Sequence, residues 1–116
     1  MNQSPGNNKI STAIFISGRG SNLKSLVNFS KKKTSPIHIN LIISNTKKAK
    51  GLKYADLNKI QKKIINFKKK NSAEKNILNM LNKKKINFIC LAGFMKVLSK
   101  KFISKFPGKI INIHPS

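Results

Sequence analysis

Two polar residues near the end of the sequence could carry out acyl-transfer chemistry. Asn112 and His114 lie two residues apart in the segment KIINIHPS, which otherwise has the Ile-rich pattern of a buried strand. Side chains two apart in a strand face the same side, so the amide and the imidazole would lie together. The amide could stabilise an oxyanion, and the imidazole could transfer a proton near neutral pH. A polar pair with no catalytic role is the competing interpretation.

A glycine-containing segment near the beginning of the sequence could bind a phosphate. SGRGSN, residues 17–22, follows the apolar run STAIFIS and precedes a helical pattern. Glycine lets a ligand approach the backbone, and the first turn of a helix favours an anion. Gly20, Ser21 and Asn22 are therefore candidate phosphate-binding residues. The spacing fits neither a Walker loop nor a dinucleotide fingerprint, so a tight turn followed by an ordinary helix cap is the alternative.

Continuous apolar runs predict five strands, at residues 11–17, 36–44, 62–67, 86–94 and 109–113. Four helical patterns alternate with them, which predicts an α/β fold with a parallel sheet covered on both faces. We expect a leader at residues 1–10, which we interpret as disordered, and one domain over residues 11–116. His38 lies in the second strand and receives no role.

The helical patterns also predict particular caps and core contacts. Ser21 and Asn22 are candidate caps of the first helix, and Ser72 is a candidate cap of the third helix, at residues 71–85. The second helix is expected to bury Leu52, Ala55 and Leu57. The fourth helix is expected to stop at Pro107 and Gly108.

Three unusual segments should meet at one edge of this sheet. GRGSN follows the first strand, GFMKVLS follows the fourth, and NIHPS ends the fifth. Ligands bind at the carboxyl ends of the strands in open parallel sheets. The convergence of the three segments therefore predicts a single site at that edge.

The charge of the chain is strongly positive, with 25 basic residues, two acidic residues and a formal net charge of +23. Such a surface could bind nucleic acid. Arg19 is the only arginine, however, and the lysines are spread along a sequence rich in Lys, Asn and Ile, as in proteins from A+T-rich genomes. Proteins that recognise nucleic acid normally use arginine to contact base edges and interleaved aromatic residues to stack on bases. We expect no specific nucleic-acid partner, and a basic nucleic-acid-binding module remains the alternative of a different class.

The single cysteine, Cys90, excludes an internal disulfide framework and fits a reducing compartment. No stretch is long and apolar enough to span a membrane, and the first residues lack the apolar core of a signal peptide. We therefore expect a cytoplasmic protein with no membrane partner. The pattern of the fourth strand predicts that Cys90 is a core thiol.

The segments ISGRGSNLKSL, LAGFMKVLS and IINIHPS, in this order and spacing, resemble the phosphoribosylglycinamide formyltransferase family. The resemblance covers residues 14–116. It implies a Rossmann-like three-layer fold and an enzyme of purine biosynthesis. This enzyme would transfer a formyl group from 10-formyltetrahydrofolate to the amine of glycinamide ribonucleotide, without a metal or a covalent enzyme intermediate.

The resemblance also implies roles for individual residues. Gly20, Ser21 and Asn22 match the loop that holds the ribonucleotide phosphate. His114 matches the proton donor, and Asn112 matches the residue that stabilises the oxyanion and contacts the folate. The segment that contacts the folate corresponds to Met95, Lys96, Val97 and Leu98.

Two departures from the family pattern affect the expected activity. Ala73 stands where the family often carries a folate-binding arginine, and Lys75 could replace it only as a point charge. The family domain also continues past HPS to a catalytic aspartate, whereas Asp56 and Glu74 lie in early segments. We therefore expect the amino-terminal part of the domain, truncated after about the fifth strand. We expect weak ribonucleotide binding, little or no formyl transfer, and a possible complementing carboxy-terminal half.

Other folate-dependent enzymes share the expected fold. Formyltetrahydrofolate hydrolase and methionyl-tRNA formyltransferase have a similar Asn and His at a strand end. The hydrolase usually carries a regulatory domain ahead of this region, and its counterpart motifs differ from SGRGSNL and HPS. The phosphate loop is the discriminating feature, and it favours glycinamide ribonucleotide as the substrate.

Overall fold

The computed structural model of the chain describes residues 9–113, which form an alternating series of strands and helices. The strands are β1 (Ile10–Ile16), β2 (Ile37–Ser44), β3 (Gln61–Ile64), β4 (Phe88–Ala92) and β5 (Lys109–Ile113). The helices are α1 (Ser21–Ser30), α2 (Leu52–Leu57), α3 (Lys70–Lys83) and α4 (Lys100–Lys105). No helix within residues 9–113 is long and apolar enough to cross a membrane.

The strands pair in parallel in one sheet, in the order β3-β2-β1-β4-β5. Parallel neighbours need a crossover connection, and each crossover here contains one helix. β1 lies at the centre, paired with β2 on one side and with β4 on the other. The predicted α/β fold with a parallel sheet is confirmed.

Helices cover both faces of the sheet and form two hydrophobic cores. In one core, Leu23 and Val27 of α1 pack with residues of α2 against one face. In the other core, Ile77 of α3 and Phe102 of α4 pack against the opposite face. The result is the three-layer arrangement of helices, sheet and helices that the family resemblance implied.

The central strand β1 contributes to both cores. Ile14 and Ile16 belong to the core of α1 and α2, whereas Ala13 and Phe15 belong to the core of α3 and α4. All four side chains are completely buried. Burying one isoleucine or phenylalanine side chain contributes about 1.5–3 kcal/mol. This burial on two faces fixes the position from which the following loop leaves the sheet.

The predicted bounds of β1 and β4 differ from the structure. β1 begins at Ile10, which the prediction assigned to the leader, and residues 1–8 lie outside the described residues. β4 ends at Ala92, two residues earlier than predicted. The cause is Gly93, whose φ of 72° takes the chain out of the extended conformation.

The edge strands do not have the buried pattern expected of them. The four residues of β3 are exposed, and the predicted final residue Phe67 lies beyond the strand, in the core of α3 and α4. In β5, Ile111 remains 42% exposed. The prediction of continuous buried runs is therefore right for β1 and wrong for β3. Lys62 and Lys63 place charge on the β3 edge, which opposes pairing with another strand.

The predicted caps of α1 are wrong. Gly20 is the residue that precedes the helix, so Ser21 and Asn22 lie in the first turn and do not cap it. Gly20 has φ 81° and ψ 25°, a left-handed conformation that most residues avoid. The glycine turn, rather than a polar side chain, therefore sets where α1 begins.

The predicted cap of α3 is also wrong. The helix begins at Lys70, so Ser72 already lies within its first turn. A cap that sequence analysis missed begins α4, where the Ser99 Oγ accepts a hydrogen bond from the Phe102 N–H at 3.0 Å. Pro107 follows the end of α4, as predicted.

Two of the three predicted core contacts of α2 are confirmed. Leu52 and Ala55 are buried, but Leu57 is 73% exposed. Leu57 lies five residues after Leu52, which rotates it by about 140° around the helix axis. The prediction for Leu57 is wrong because this position faces solvent.

Gly108, in the turn before β5, packs against the backbone of the turn before β4. A Cβ atom on Gly108 would lie 1.7 Å from the carbonyl oxygen of Asn87 and 2.3 Å from its carbonyl carbon. The same oxygen accepts a hydrogen bond from the Lys109 N–H at 3.1 Å. The contact therefore requires glycine, and it sets the start of β5 beside β4.

We expect Gly108→Ala to lower the free energy of unfolding by about 1–3 kcal/mol, because the two turns would have to separate. Gly18→Ala is the matched control, since a Cβ atom there would meet nothing within 4 Å. The control should change the stability by less than about 0.5 kcal/mol. Urea unfolding followed by circular dichroism measures both variants. Equal stabilities would contradict the packing requirement at Gly108.

Candidate active site at the carboxyl edge of the sheet

The strand order places the topological switch point of the sheet between β1 and β4. From β1 the chain moves outward through β2 and β3, and it then returns to β4 on the other side of β1. Loops that leave the sheet in opposite directions open a crevice at their common origin, which is the usual ligand site in such sheets. The crevice here lies between the segments that follow β1 and β4.

The segment after β1 contains a glycine loop, defined here as residues 18–22, whose last two residues form the start of α1. The Gly20 carbonyl accepts the Lys24 N–H at 2.8 Å, and no side-chain cap is present at this helix end in the described residues. The first N–H groups of a helix have no partners within the helix. These groups and the helix dipole together favour an anion beside Gly20, Ser21 and Asn22.

A second glycine fixes the position of the glycine loop. Gly51, just before α2, donates its N–H to the Gly18 carbonyl at 2.9 Å. A Cβ atom on Gly20 would lie 2.5 Å from the Gly51 Cα, and a Cβ atom on Gly51 would lie 2.8 Å from the Gly20 Cα. The two backbones touch, so neither position has room for a side chain. Sequence analysis missed Gly51, because this contact joins segments that are distant in the sequence.

The glycine loop and the end of β4 form a shallow cleft with a volume of about 130 Å³. The structure thus brings the three predicted phosphate-binding residues next to the beginning of the β4–α4 loop, residues 93–99. The cleft has room for a small anion such as phosphate. Its lining residues are Gly18, Arg19, Gly20, Ser21, Asn22, Ala92 and Gly93.

The β4–α4 loop carries the predicted folate contacts. Met95 and Val97 are 79% and 76% exposed, although both side chains are apolar. Lys96 between them is also exposed. Exposed apolar side chains near a crevice are typical of a surface that packs against an apolar ligand. Leu98 differs, because its side chain is buried in the core of α3 and α4 and could contact a ligand only through its backbone.

Hydrogen bonds hold both ends of this loop. At its beginning, the Met95 N–H donates to the Ser17 Oγ at 2.8 Å. At its end, the Glu74 carboxylate of α3 accepts bonds from the Ser99 N–H at 2.7 Å and from the Ser99 hydroxyl at 2.6 Å. Glu74 is only 5% exposed. Neither Ser17 nor Glu74 was identified from the sequence as part of the site.

Asn112 lies where the sequence placed it, at the carboxyl end of β5. It pairs in register with Leu91 of β4, one residue before the cleft residue Ala92. The Asn112 side chain is exposed, while the next residue, Ile113, packs on the opposite face with the core of α1 and α2. An exposed amide at this edge is available to a ligand. The predicted catalytic partner, His114, lies outside the described residues.

Two further residues considered in the sequence, Cys90 and Ala73, are buried in the core. Cys90 is 1% exposed, and burial raises the pKa of its thiol to about 11, so the neutral form predominates at physiological pH. The prediction of a core thiol is confirmed. Ala73, at the position where the family often carries arginine, is also buried in the core of α3 and α4. Within residues 9–113, no cluster of three or more His, Cys, Asp or Glu side chains could hold a metal ion.

A larger cavity lies away from this edge. It has a volume of about 610 Å³ and lies between α3 and the turns before β4 and β5, at the amino ends of these strands. Its wall includes Leu78, Ile86 and Phe106. We assign the site to the smaller cleft because the switch point, the open helix end and the exposed amide all lie at the carboxyl edge.

The carboxyl edge is positively charged. Arg19 follows β1, Lys47 and Lys48 follow β2, and Lys96 follows β4, all of them exposed. The two acidic residues of the chain lie outside these loops, in α2 and α3. The edge therefore attracts anionic small molecules.

The comparison with known proteins agrees with this geometry. A family model described as formyl transferase matches residues 10–116. The trifunctional purine biosynthetic protein adenosine-3 of Gallus gallus is 41% identical over 112 residues, which cover 94% of this chain and 11% of that protein. The phosphoribosylglycinamide formyltransferase of Haemophilus influenzae is 36% identical over 107 residues, which cover 90% of this chain and 50% of that protein.

Solved structures give the same result. The crystal structure of phosphoribosylglycinamide formyltransferase from Brucella melitensis superimposes with a TM-score of 0.87 at 37% identity. The matched region covers 93% of this chain and 58% of that one. The chain thus spans about a tenth of the length of the Gallus gallus protein and about half the length of the Haemophilus influenzae and Brucella melitensis proteins.

We expect Glu74→Ala to lower the free energy of unfolding by about 1–3 kcal/mol, because the Ser99 N–H and hydroxyl lose their acceptor. Asp56→Ala, at the other acidic residue, is the control. Within residues 9–113, the Asp56 side chain pairs only with Lys62 at the surface, at 2.8 Å, so its loss should cost at most about 1 kcal/mol. Denaturant unfolding measures both values, and equal losses would contradict the anchoring role of Glu74.

Proposed function

The chain belongs to the formyl transferase family, and from this membership and the geometry of the carboxyl edge we propose that it carries the ribonucleotide-binding part of a phosphoribosylglycinamide formyltransferase. The reaction transfers a formyl group from 10-formyltetrahydrofolate to the amine of glycinamide ribonucleotide. The observation that carries the proposal is the open amino-terminal end of α1 behind a glycine loop at the switch point of the sheet.

The phosphate of the ribonucleotide is proposed to bind at Gly20, Ser21 and Asn22. Three features support this assignment. The cleft lined by these residues has room for a phosphate, the Gly20–Gly51 contact holds the loop in place, and the loop carries no acidic residue. The cationic edge would attract the dianionic phosphate before it binds.

The formyl folate is proposed to bind along Met95, Lys96, Val97 and Leu98. The exposed Met95 and Val97 side chains suit the flat pterin ring. Leu98 would contribute its backbone polar groups, because its side chain is in the core. The exposed Lys96 would attract the anionic glutamate tail of the folate.

Asn112 and His114 are proposed as the catalytic pair. The amine nitrogen bonds to the formyl carbon, the bond from this carbon to the folate nitrogen breaks, and a proton moves from the amine to that nitrogen. Asn112 donates a hydrogen bond to the formyl oxygen as negative charge develops there. His114 accepts this proton from the amine and donates it to the folate nitrogen. The exposure of Asn112 beside β4 supports its part in this assignment.

The full reaction is proposed to need a second segment. The relatives from Haemophilus influenzae and Brucella melitensis are about twice as long as the region that they share with this chain. The additional segment would supply a catalytic aspartate and the rest of the folate pocket, and it is the proposed partner. Without it we expect weak ribonucleotide binding and little or no formyl transfer.

The single buried cysteine supports a reducing, cytoplasmic location.

We expect Ser21→Asp to weaken binding of glycinamide ribonucleotide at least about tenfold, because a carboxylate would repel the phosphate at short range. The same carboxylate would stabilise the amino-terminal end of α1, so folding should be unaffected or slightly improved. Isothermal titration calorimetry at low salt measures the affinity, and thermal unfolding measures the stability.

Ser25→Asp is the matched control, because Ser25 is exposed on the same helix one turn further on. It should bind the ribonucleotide within about threefold of the parent chain. Equal affinities for the two aspartate variants would contradict the proposed phosphate site. Binding that disappears at moderate salt in both variants would indicate attraction by the lysine surface alone.

A further inference from the structure

Ser17 connects the loops that follow three neighbouring strands. It lies between β1 and the glycine loop. Its Oγ donates a hydrogen bond to the Asn45 Oδ1 after β2 and accepts one from the Met95 N–H after β4 at 2.8 Å. The bond to Met95 spans 78 positions of the sequence. Ser17 therefore joins the start of the glycine loop to the start of the β4–α4 loop.

We infer that Ser17 is a positioning residue that couples the ribonucleotide site to the folate site. The inference rests on the proposed function, because it assigns the glycine loop to the ribonucleotide and the β4–α4 loop to the folate. Binding of the phosphate restrains residues 18–22, and Ser17 transmits this restraint to the Met95 backbone. By linkage, a folate bound along the β4–α4 loop raises the affinity for the ribonucleotide by the same factor as the ribonucleotide raises the affinity for the folate.

The hydroxyl group suits this role because it can donate one hydrogen bond and accept others. The Asn45 Oδ1 accepts a hydrogen bond from the Ser17 hydroxyl, so the lone pairs of the Ser17 oxygen can accept the bond from the Met95 N–H. Alanine at this position would remove both bonds. Threonine would keep the hydroxyl group, so it provides a conservative variant in which the connection is retained.

The β4–α4 loop depends on few anchors. The side chains of Met95 and Val97 are mostly exposed and gain little from packing. The far end of the loop is fixed by Leu98 in the core and by the Glu74–Ser99 hydrogen bonds. Segments with few buried contacts open locally at low free-energy cost. At the Met95 end, the Phe94 ring packs edge-to-face against Phe15 and Phe67, and the Ser17 bond is the hydrogen bond that holds the Met95 backbone.

Amide-resolved NMR of the ¹⁵N-labelled chain tests the inference, with glycinamide ribonucleotide as the probe. In the parent chain, the Gly20 and Met95 amide signals should shift along the same binding curve. In Ser17→Ala, the Gly20 signal should still titrate, while the Met95 shift should fall to less than about one third. The Met95 amide should also exchange with solvent at least about tenfold faster in this variant.

Two further variants distinguish coupling from a general loss of structure. Ser17→Thr should restore the Met95 response. Ser104→Ala, which removes a local hydrogen bond from the exposed Ser104 hydroxyl to the Lys101 carbonyl within α4, should change neither signal. A Met95 shift that is unchanged in Ser17→Ala, or absent in the parent chain while Gly20 titrates, would overturn the inference and leave the proposed function standing. If Gly20 itself does not titrate in the parent chain, the proposed function fails, and the inference fails with it.

Discussion

β1 is hydrogen-bonded to β2 on one side and to β4 on the other, and its side chains are buried in both cores. This central position constrains everything at the carboxyl edge. The loops that follow the three strands must begin within a few ångströms of one another, since neighbouring strands lie about 4.8 Å apart. The glycine loop, Asn45 and the β4–α4 loop meet for this reason.

The loops at this edge are held by backbone contacts, by polar anchors, and by the packing of the Phe94 and Leu98 side chains with the core of α3 and α4. The Gly20 and Gly51 backbones touch, and the Ser17 and Glu74 side chains each hold one end of the β4–α4 loop. Met95 and Val97 remain exposed between these anchors. The combination leaves apolar side chains free for a ligand while it fixes the backbone that presents them. It also gives a reason for the buried carboxylate of Glu74 so close to a surface site.

The sequence predicted the strand and helix order well, because the apolar runs of β1, β2 and β4 are long and bounded by clear turn residues. It also placed Gly20 and Asn112 at the correct edge, since parallel topology determines where strands end. The predicted helix caps at Ser21 and Ser72 are wrong, because each helix is preceded by an earlier residue than cap propensity indicates, Gly20 for α1 and Lys69 for α3. Gly51, Ser17 and Glu74 were missed because their roles depend on contacts between distant segments, which local patterns do not encode. The functional roles assigned to the site residues stay predictions, at His114 and equally at Gly20, Ser21, Asn22, residues 95–98 and Asn112.

The most direct test of this account is a crystal structure of the chain with glycinamide ribonucleotide. We expect the phosphate oxygens to lie within hydrogen-bond distance of the backbone N–H groups at the start of α1, with the glycine loop in place against Gly51. A phosphate bound instead to surface lysines, or in the larger cavity between α3 and the turns before β4 and β5, would contradict the assignment of the site to the carboxyl edge.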